Sequence, residues 1–272
     1  MLGGILMHIL NNVFLKDYTT YKIGGKADTF IFAESIEDLK LILLDCNLLY
    51  HKKEILILGN GSNLLINDKG FNGIVIKPIF KNILIKENKM TVQAGATVND
   101  MINSCIENNL TGLEIITGIP GNLGGVITMN AGFTKSISSI VDKVKVMDYS
   151  GNIKILNNKQ MQFGYRTSLI QKEKLIVLEA VLNLKHGNIK PQVEKYIKLR
   201  INNQPINYAS CGSVFKKNNL HEFQGWSEGD AEVIKSYIVN KGNATFNDII
   251  TLINKIKKAS KVKTDLEVVI IE

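Results

Sequence analysis

The chain has 272 residues, 45% hydrophobic and 21% charged, with Lys+Arg 33 against Asp+Glu 25 and a net charge of +8. That balance belongs to a globular protein with room for one large domain or two to three small ones, and it excludes a disordered or fibrous chain. The excess of positive charge favours anionic ligands. The lysines are scattered without a basic block or interleaved aromatics, so nucleic acid is the weaker partner.

Met1-Leu2-Gly3-Gly4-Ile5-Leu6-Met7 is apolar but short, has no charged start, and soon meets Asn11-Asn12. Neither a signal peptide nor a membrane span is expected. Tyr18-Thr19-Thr20-Tyr21-Lys22-Ile23-Gly24-Gly25 is polar and aromatic, then breaks at paired glycines. Thr29 to Ala33 reads as a strand. Ser35 with Asp38 three residues on is a helix start, followed by Leu39, Ile42, Leu43 and Cys46 at helical spacing. The apolar run Ile55 to Leu58 predicts a buried strand that feeds Gly59-Asn60-Gly61-Ser62-Asn63-Leu64. Strands over 74–77, 83–86 and 90–94 follow, then a helix opened by Thr97 and Asp100.

The stretch from Gly112 to Gly132 interleaves glycine with apolar residues, so it must be packed rather than loose. Pro120 fixes φ, while Gly118, Gly121, Gly124 and Gly125 permit positive φ or close backbone approach. Such a turn exposes backbone N–H groups to a phosphate or a flat ring, and packing alone is an equally good reason for it. The earlier loop lacks the third glycine of a dinucleotide fingerprint, because position 64 is leucine, and it has no Gly-Lys-Ser/Thr. Two glycine loops beside buried strands in one basic chain point to a dinucleotide cofactor. Neither holds a histidine or cysteine, so the attachment is expected to be non-covalent.

Ser150-Gly151 marks a hairpin between strands over 143–148 and 152–156. A polar island, Phe163-Gly164-Tyr165-Arg166-Thr167-Ser168, leads into a long β-type run over 175–184. Arg166 carries the fork that matches a carboxylate or phosphate, though a lone arginine is usually a surface ion pair. Lys190-Pro191 marks a domain boundary and starts a helix that ends before Gln204-Pro205. Cys211-Gly212-Ser213-Val214-Phe215-Lys216 reads as a loop into a strand, and a serine after glycine is most often turn chemistry. Residues 217–232 are polar and hard to place. A strand over 237–240, a helix opened by Thr245 and Asp248, and a closing strand over 266–271 complete a mixed α+β order. Glu267 lies inside that apolar closing strand, either facing water or buried and in need of a partner. Cys46, Cys105 and Cys211 are far apart and odd in number, so a reducing, cytoplasmic compartment is expected. His8, His51, His186 and His221 show no metal spacing, and no metal site is expected.

Taken in order, these motifs resemble the UDP-N-acetylenolpyruvoylglucosamine reductase family over nearly the whole chain. The resemblance rests on Tyr18 to Gly25, Gly59 to Leu65, Gly118 to Gly121 through Met129-Asn130-Ala131-Gly132, the island at 163–168, Gln204-Pro205, Cys211 to Lys216, Ile238-Val239-Asn240 and Leu266-Glu267-Val268. It implies a vanillyl-alcohol-oxidase-like FAD-binding fold in two subdomains, 1–76 and 77–188, with a C-terminal α+β substrate domain at 189–272. It implies non-covalent FAD held by Ile23, Gly24, Gly25, Gly59, Asn60, Gly61, Ser62, Asn63, Leu64, Gly118, Ile119, Pro120, Gly121, Gly124, Gly125, Asn130, Ala131 and Gly132. Arg166, Ser213 and Glu267 match the family's catalytic arginine, proton-donating serine and glutamate. Tyr165, Arg200 and Lys216 are the implied substrate contacts. NADPH is the implied reductant and a UDP-sugar the substrate, with no protein partner required.

No insertion separates Tyr165-Arg166 from the run at 175–184, as in the subtype lacking an extra tyrosine loop. The chain departs from the family where Lys217-Asn218 replace Asn-Pro, where 219–236 is shortened, and where Lys26 replaces a proline. Ile234-Lys235-Ser236-Tyr237 also replaces a histidine-alanine-asparagine-aromatic run. Two alternatives stay open: another FAD oxidoreductase on the same fold, or a flavoprotein that no longer turns over. Ser213 and Glu267 speak against the first, and the shortened segment speaks for the second.

Overall fold

The structure is a computed structural model and describes residues 8–49, 53–216, 220–261 and 264–272. The apolar start and Lys217, Asn218 and Asn219 of the sequence analysis lie outside those residues. The chain forms two compact units, each discontinuous in sequence. One holds Thr29–Gly59 and Gly73–Ile197. The other holds Asn11–Asp28, Asn60–Asn72 and Lys198–Glu272. Each has its own hydrophobic core. The strands Ile9–Phe14, Lys26–Ala33 and Phe71–Pro78 each begin in one unit and end in the other.

The first unit is built around a five-stranded antiparallel sheet ordered Ile153–Asn157, Val141–Met147, Ile176–Asn183, Lys89–Gln93 and Ile83–Lys86. Val144, Val146, Leu178, Ala180, Val92 and Met90 are buried from successive strands of it, and period-two alternation brings them to the core. Glu54–Ile57 pairs in parallel with Phe71–Pro78, from Glu54↔Gly73 to Ile57↔Ile76. Two helices start where their side chains cap them. Ser35 and Asp38 exchange hydrogen bonds ahead of the helix Ile36–Leu49. Thr97 and Asp100 form a full capping box for Val98–Glu107. The latter buries Val98, Met101, Ile102 and Cys105 on one face.

The second unit packs the helix Phe246–Ala259 on the hairpin strands Ala231–Ile234 and Tyr237–Asn240. That helix is also boxed, by Thr245 and Asp248, and buries Phe246, Ile249, Leu252, Ile253 and Ile256. Tyr21 ties the early segment into this core. It is fully buried, donates its hydroxyl to the Ile238 carbonyl at 2.9 Å, and accepts from Asn240 Nδ2 at its own carbonyl at 3.1 Å. Residues 220–234 hold a short 3-10 turn, Leu220–Phe223, and the strands Ser227–Glu228 and Ala231–Ile234.

The closing strand is shorter than its apolar run predicts. Leu266 makes a lone antiparallel bridge to Phe215, and only Val269–Ile271 forms a strand, parallel to Leu64–Ile66. The chain changes partner between these contacts, so Glu267 sits at a switch rather than within a strand, and it is half-buried. The glycine segment also differs from a plain turn. It contains a 3-10 turn, Leu113–Ile116, and a helix, Leu123–Thr128, capped by Asn122. Glycine has low helix propensity, which hides that helix from a propensity reading; the cap and tertiary contacts override it. Cys46, Cys105 and Cys211 are free and buried, and burial raises the first two thiols to about 11 and about 12. No helix among the described residues is long and apolar enough to cross a membrane.

Candidate active site

In the first unit the glycine segment runs along residues 94–98. Leu123 N donates to Ala96 O at 2.9 Å, Gly124 N to Ala94 O at 2.9 Å, and Val98 N to Gly121 O at 3.1 Å. Gly118 has φ +75 and is exposed with Pro120 and Gly125, whereas Gly121 and Gly132 are buried. Asn122 is buried and organises the turn. Its Oδ1 accepts from Gly125 N at 3.2 Å and faces Gly59 so closely that a Cβ there would lie 2.7 Å away. Beneath this contact Lys77 Nζ donates to the Gly59 carbonyl. Burial lowers the pKa of Lys77, since desolvation disfavours its charged form.

The polar island at 163–168 docks on the far end of the same segment. Asn130, at φ +44, donates Nδ2 to Gly164 O at 2.8 Å and accepts from Ser138 N at 3.1 Å. Arg166 donates Nη2 to Gly132 O at 3.0 Å, and its guanidinium carbon lies 5.0 Å from the ring centre of Tyr165. Ser168 Oγ donates to Thr128 O at 2.8 Å. Arg166 itself sits at φ +53, a left-handed conformation that costs a non-glycine residue about 1–2 kcal/mol. Ala131 is half-buried between these contacts, and Ile119 packs on the unit's core.

In the second unit the glycines answer to their own backbone. A Cβ at Gly25 would lie 2.2 Å from Asp68 O, and one at Gly61 2.2 Å from Tyr18 O. At Gly24 the nearest atom is Ile66 Cβ at 3.1 Å. Ile23 is buried in the core and Leu64 is paired with Val269. Asn60 and Ser62 are half-buried on the loop itself. Asn63 Nδ2 donates to Glu267 O at 3.0 Å.

Ser213 and Glu267 come together through the backbone: Glu267 N donates to Val214 O at 2.8 Å. Lys216 is half-buried and its N–H donates to Asp265 O at 2.9 Å. Gly212, at φ +81, leaves open space where a Cβ would stand. Ser213 and Gln204 are the polar side chains that act on the Tyr237 hydroxyl. Arg200 Nη1 in turn donates to Gln204 Oε1 at 3.2 Å. Burial raises the Tyr237 hydroxyl above its ordinary pKa; the Arg200 charge, Ser213 and Gln204 pull it down, and Glu267 pushes it up.

Arg166 belongs to the first unit, and Ser213, Glu267, Arg200 and Lys216 to the second. Sequence reasoning missed Asn122, Lys77 and Tyr237. Asn122 and Tyr237 stand inside stretches already singled out. For Lys77 there was no signal, because one lysine on a strand has no pattern around it.

Comparison with known proteins covers most of the chain. Residues 27–157 match an FAD binding domain, and residues 204–271 match the C-terminal domain of UDP-N-acetylenolpyruvoylglucosamine reductase. A UDP-N-acetylenolpyruvoylglucosamine reductase from Caldanaerobacter subterraneus subsp. tengcongensis is 39% identical over 270 residues, spanning 93% of this chain and 89% of that protein. The crystal structure of UDP-N-acetylenolpyruvylglucosamine reductase from Thermus caldophilus is 28% identical and superposes with a TM-score of 0.84. It covers 98% of this chain and 100% of that one. The crystal structure of cholesterol oxidase from B. sterolicum, 10% identical, shares the fold alone, with a TM-score of 0.51 over 66% of this chain and 38% of that one.

Proposed function

The chain belongs to the UDP-N-acetylenolpyruvoylglucosamine reductase family, and from that premise we propose that it reduces the enolpyruvyl double bond of UDP-N-acetylenolpyruvoylglucosamine to the lactyl ether of UDP-N-acetylmuramate, with non-covalent FAD and NADPH. The product is a peptidoglycan precursor, and the reaction belongs in the cytoplasm. The observation that carries the reading is the match of residues 204–271 to the reductase's C-terminal domain, within which Ser213 stands beside open space at Gly212 and Glu267 N is bonded to the carbonyl of the next residue, Val214.

The residues fit the cofactor. Gly118, Pro120 and Gly125 expose a side-chain-poor surface, and a cation at Lys77 lies under Gly59, which suits an anionic diphosphate and a flat ring. Gly59, Gly118, Ile119, Pro120, Gly121, Gly124 and Gly125 would hold it in the first unit, and the place of Asn60 to Asn63 in the cofactor set rests on the family. Bound FAD would supply a hydride to the terminal alkene carbon. Packing alone requires glycine at Gly24, Gly25 and Gly61, so their place in the cofactor site rests on the family.

Hydride addition drives charge toward the neighbouring carbon and its carboxylate. Arg166 would stabilise that charge, held in aim by Gly132 O and the Tyr165 ring. Ser213 would then give its proton to the same carbon. Glu267 would orient the reacting group, and Tyr165, Arg200 and Lys216 would bind the UDP-sugar.

Anaerobic stopped-flow tests the proposal. NADPH should bleach the flavin, and the enolpyruvyl substrate should restore its colour. Ser213→Ala should leave FAD content and bleaching nearly intact while reoxidation falls by ~10²–10⁴-fold, because only the second half-reaction needs the enol proton. Normal reoxidation in that variant removes Ser213 from the chemistry. Equal loss in both halves makes it a turn residue. Bleaching without substrate-dependent recovery in the parent protein favours another FAD oxidoreductase or an inactive flavoprotein.

A further inference from the structure

The helix Lys190–Asn203 begins where Lys190 N donates to Asn188 Oδ1 at 3.0 Å, with Pro191 in its first turn. Its Val193 is buried on the core of the first unit. Residues three apart on a helix share a face, so Tyr196 stands on the same side one turn later, within that unit. There it meets the exposed tip of the turn that follows Gly132. The Tyr196 hydroxyl lies 2.8 Å from Thr134 Oγ1. Its ring makes an edge contact with the ring of Phe133, with centres 5.7 Å apart and planes at 82°. One tyrosine thus grips two successive residues of the turn, once through a hydrogen bond and once through an aromatic edge.

What the turn holds is the carbonyl of Gly132. Ala131 N donates to Val126 O at 2.9 Å and Phe133 N to Ile115 O at 2.9 Å, which pins the chain on both sides of that glycine. Ile137 N donates to Ala131 O at 2.8 Å and closes the turn. The tip folds back so tightly that a Cβ on Gly132 would lie 1.9 Å from Lys135 O. A shift of the tip therefore carries to Gly132. Gly132 O in turn accepts from Arg166 Nη2 at 3.0 Å. Arg166 sits at φ +53, a conformation that persists only where its surroundings enforce it. Phe133, Thr134 and Lys135 are exposed, and Tyr196 meets the first two from outside.

We propose that Tyr196 is a positioning residue for Arg166, acting through the turn 132–136 to hold the Gly132 carbonyl where it aims the guanidinium. The proposal rests on the reading of Arg166 as the group that stabilises the charge developing on the substrate. Tyr196 needs no contact with substrate or cofactor for this. A charge-stabilising donor works only in its aimed position, and a small misplacement costs rate rather than binding. The two contacts divide the task. The aromatic edge sets the place of Phe133, and the hydroxyl fixes the tip through Thr134. Loss of one leaves the other.

The test uses purified holoprotein: the parent, Tyr196→Ala, Tyr196→Phe, Thr134→Val and Arg166→Ala, with Tyr196→Ala also placed on the Arg166→Ala background. Tyr196→Ala should keep its FAD and its bleaching by NADPH. Its limiting rate of reoxidation by the enolpyruvyl substrate should fall about threefold to tenfold, with the half-saturating substrate concentration unchanged. Tyr196→Phe keeps the ring contact and should lose about twofold to threefold. Thr134→Val removes the same hydrogen bond from the other side and should match it. On the Arg166→Ala background Tyr196→Ala should add nothing, since the aimed group is gone. Should Tyr196→Ala melt early, Tyr196→Phe and Thr134→Val carry the test by themselves. A parent-like limiting rate overturns the proposal, and a raised half-saturating concentration in its place makes Tyr196 a substrate contact. A loss that persists undiminished on the Arg166→Ala background makes Tyr196 a packing residue and also overturns it. Normal reoxidation in Arg166→Ala defeats the reading of Arg166 itself, and the positioning with it.

Discussion

At Gly25 and Gly61, in the unit that contains Asn11–Asp28 and Asn60–Asn72, an added Cβ would stand 2.2 Å from a backbone oxygen. At Gly125, in the unit that contains Gly73–Ile197, it would stand 3.4 Å from Asn122 Oδ1, in ordinary contact, on an exposed face. The first pair is glycine because the chain folds back on itself there. The last has room for a side chain and carries none. One residue type therefore has two meanings in two regions, and only at the open kind is the missing side chain itself left over for a ligand. The comparison also sorts the predicted cofactor set. Gly24, Gly25 and Gly61 shape their loops, while Gly118, Pro120 and Gly125 face outward.

The largest effect should come from closing the tight positions. Gly61→Ala puts a methyl into the Tyr18 carbonyl and an L-residue at φ +60. Gly25→Ala meets Asp68 O and Gly70 N, both backbone. Neither neighbour can swing aside, so each change should cost at least ~3 kcal/mol, and thermal melting should show the unfolding moved down. A variant that melts like the parent and merely loses FAD would break the distinction between packed and open glycines.

Arg166 comes next. Arg166→Ala should keep FAD and bleach normally with NADPH, but substrate-driven reoxidation should fall by about 10²–10³-fold. Arg166→Lys should recover little, because the ammonium lacks the fork that bonds Gly132 O and stacks on Tyr165. Rescue by lysine would reduce Arg166 to a point charge.

Most elements and the order of the motifs are legible in the sequence, because capping boxes and alternating runs are local. Thr97 with Asp100 and Thr245 with Asp248 start helices as their spacing predicts. Glu267 was misplaced because an apolar run does not show where a strand changes partner: Leu266 goes to Phe215, and Val269 to Leu64. The helix Leu123–Thr128 was hidden because its glycines argue against it, and Asn122, which caps it, is one residue in a turn. The bonds of Tyr21 to Ile238 and Asn240 span more than two hundred positions, beyond any local pattern. Ser213 and Arg166 were legible only through the family resemblance; their surroundings were not.

Lys77→Met sharpens the contrast on the first unit's side. A lysine whose folded pKa is lowered binds fewer protons folded than unfolded, so it contributes a stability that rises with pH as the unfolded lysine approaches its own pKa near 10.5. Removing the cation should flatten that rise in the protein stripped of FAD. FAD should bind more weakly, by about tenfold, because the positive charge under Gly59 is gone. Unchanged affinity, measured by flavin fluorescence on titration, would detach Lys77 from the cofactor.

The smallest change is Gly125→Ala. The residue lies in the first turn of the helix Leu123–Thr128, is exposed, and has only Asn122 Oδ1 within reach of a new methyl. Alanine there removes backbone freedom from the unfolded chain and should stabilise the FAD-free protein by about 0.5–1 kcal/mol. The same methyl stands on the surface that the cofactor would cover, so FAD affinity should drop about threefold to tenfold while melting holds or rises. The opposite signs are what make the variant useful. A glycine kept for packing would lose stability and FAD together, as at Gly61. A glycine kept for nothing would gain stability and hold FAD as before. Calorimetry of the FAD-free protein, with a flavin titration on the same sample, separates the three outcomes. Only a rise in one with a fall in the other marks a position left bare for a ligand.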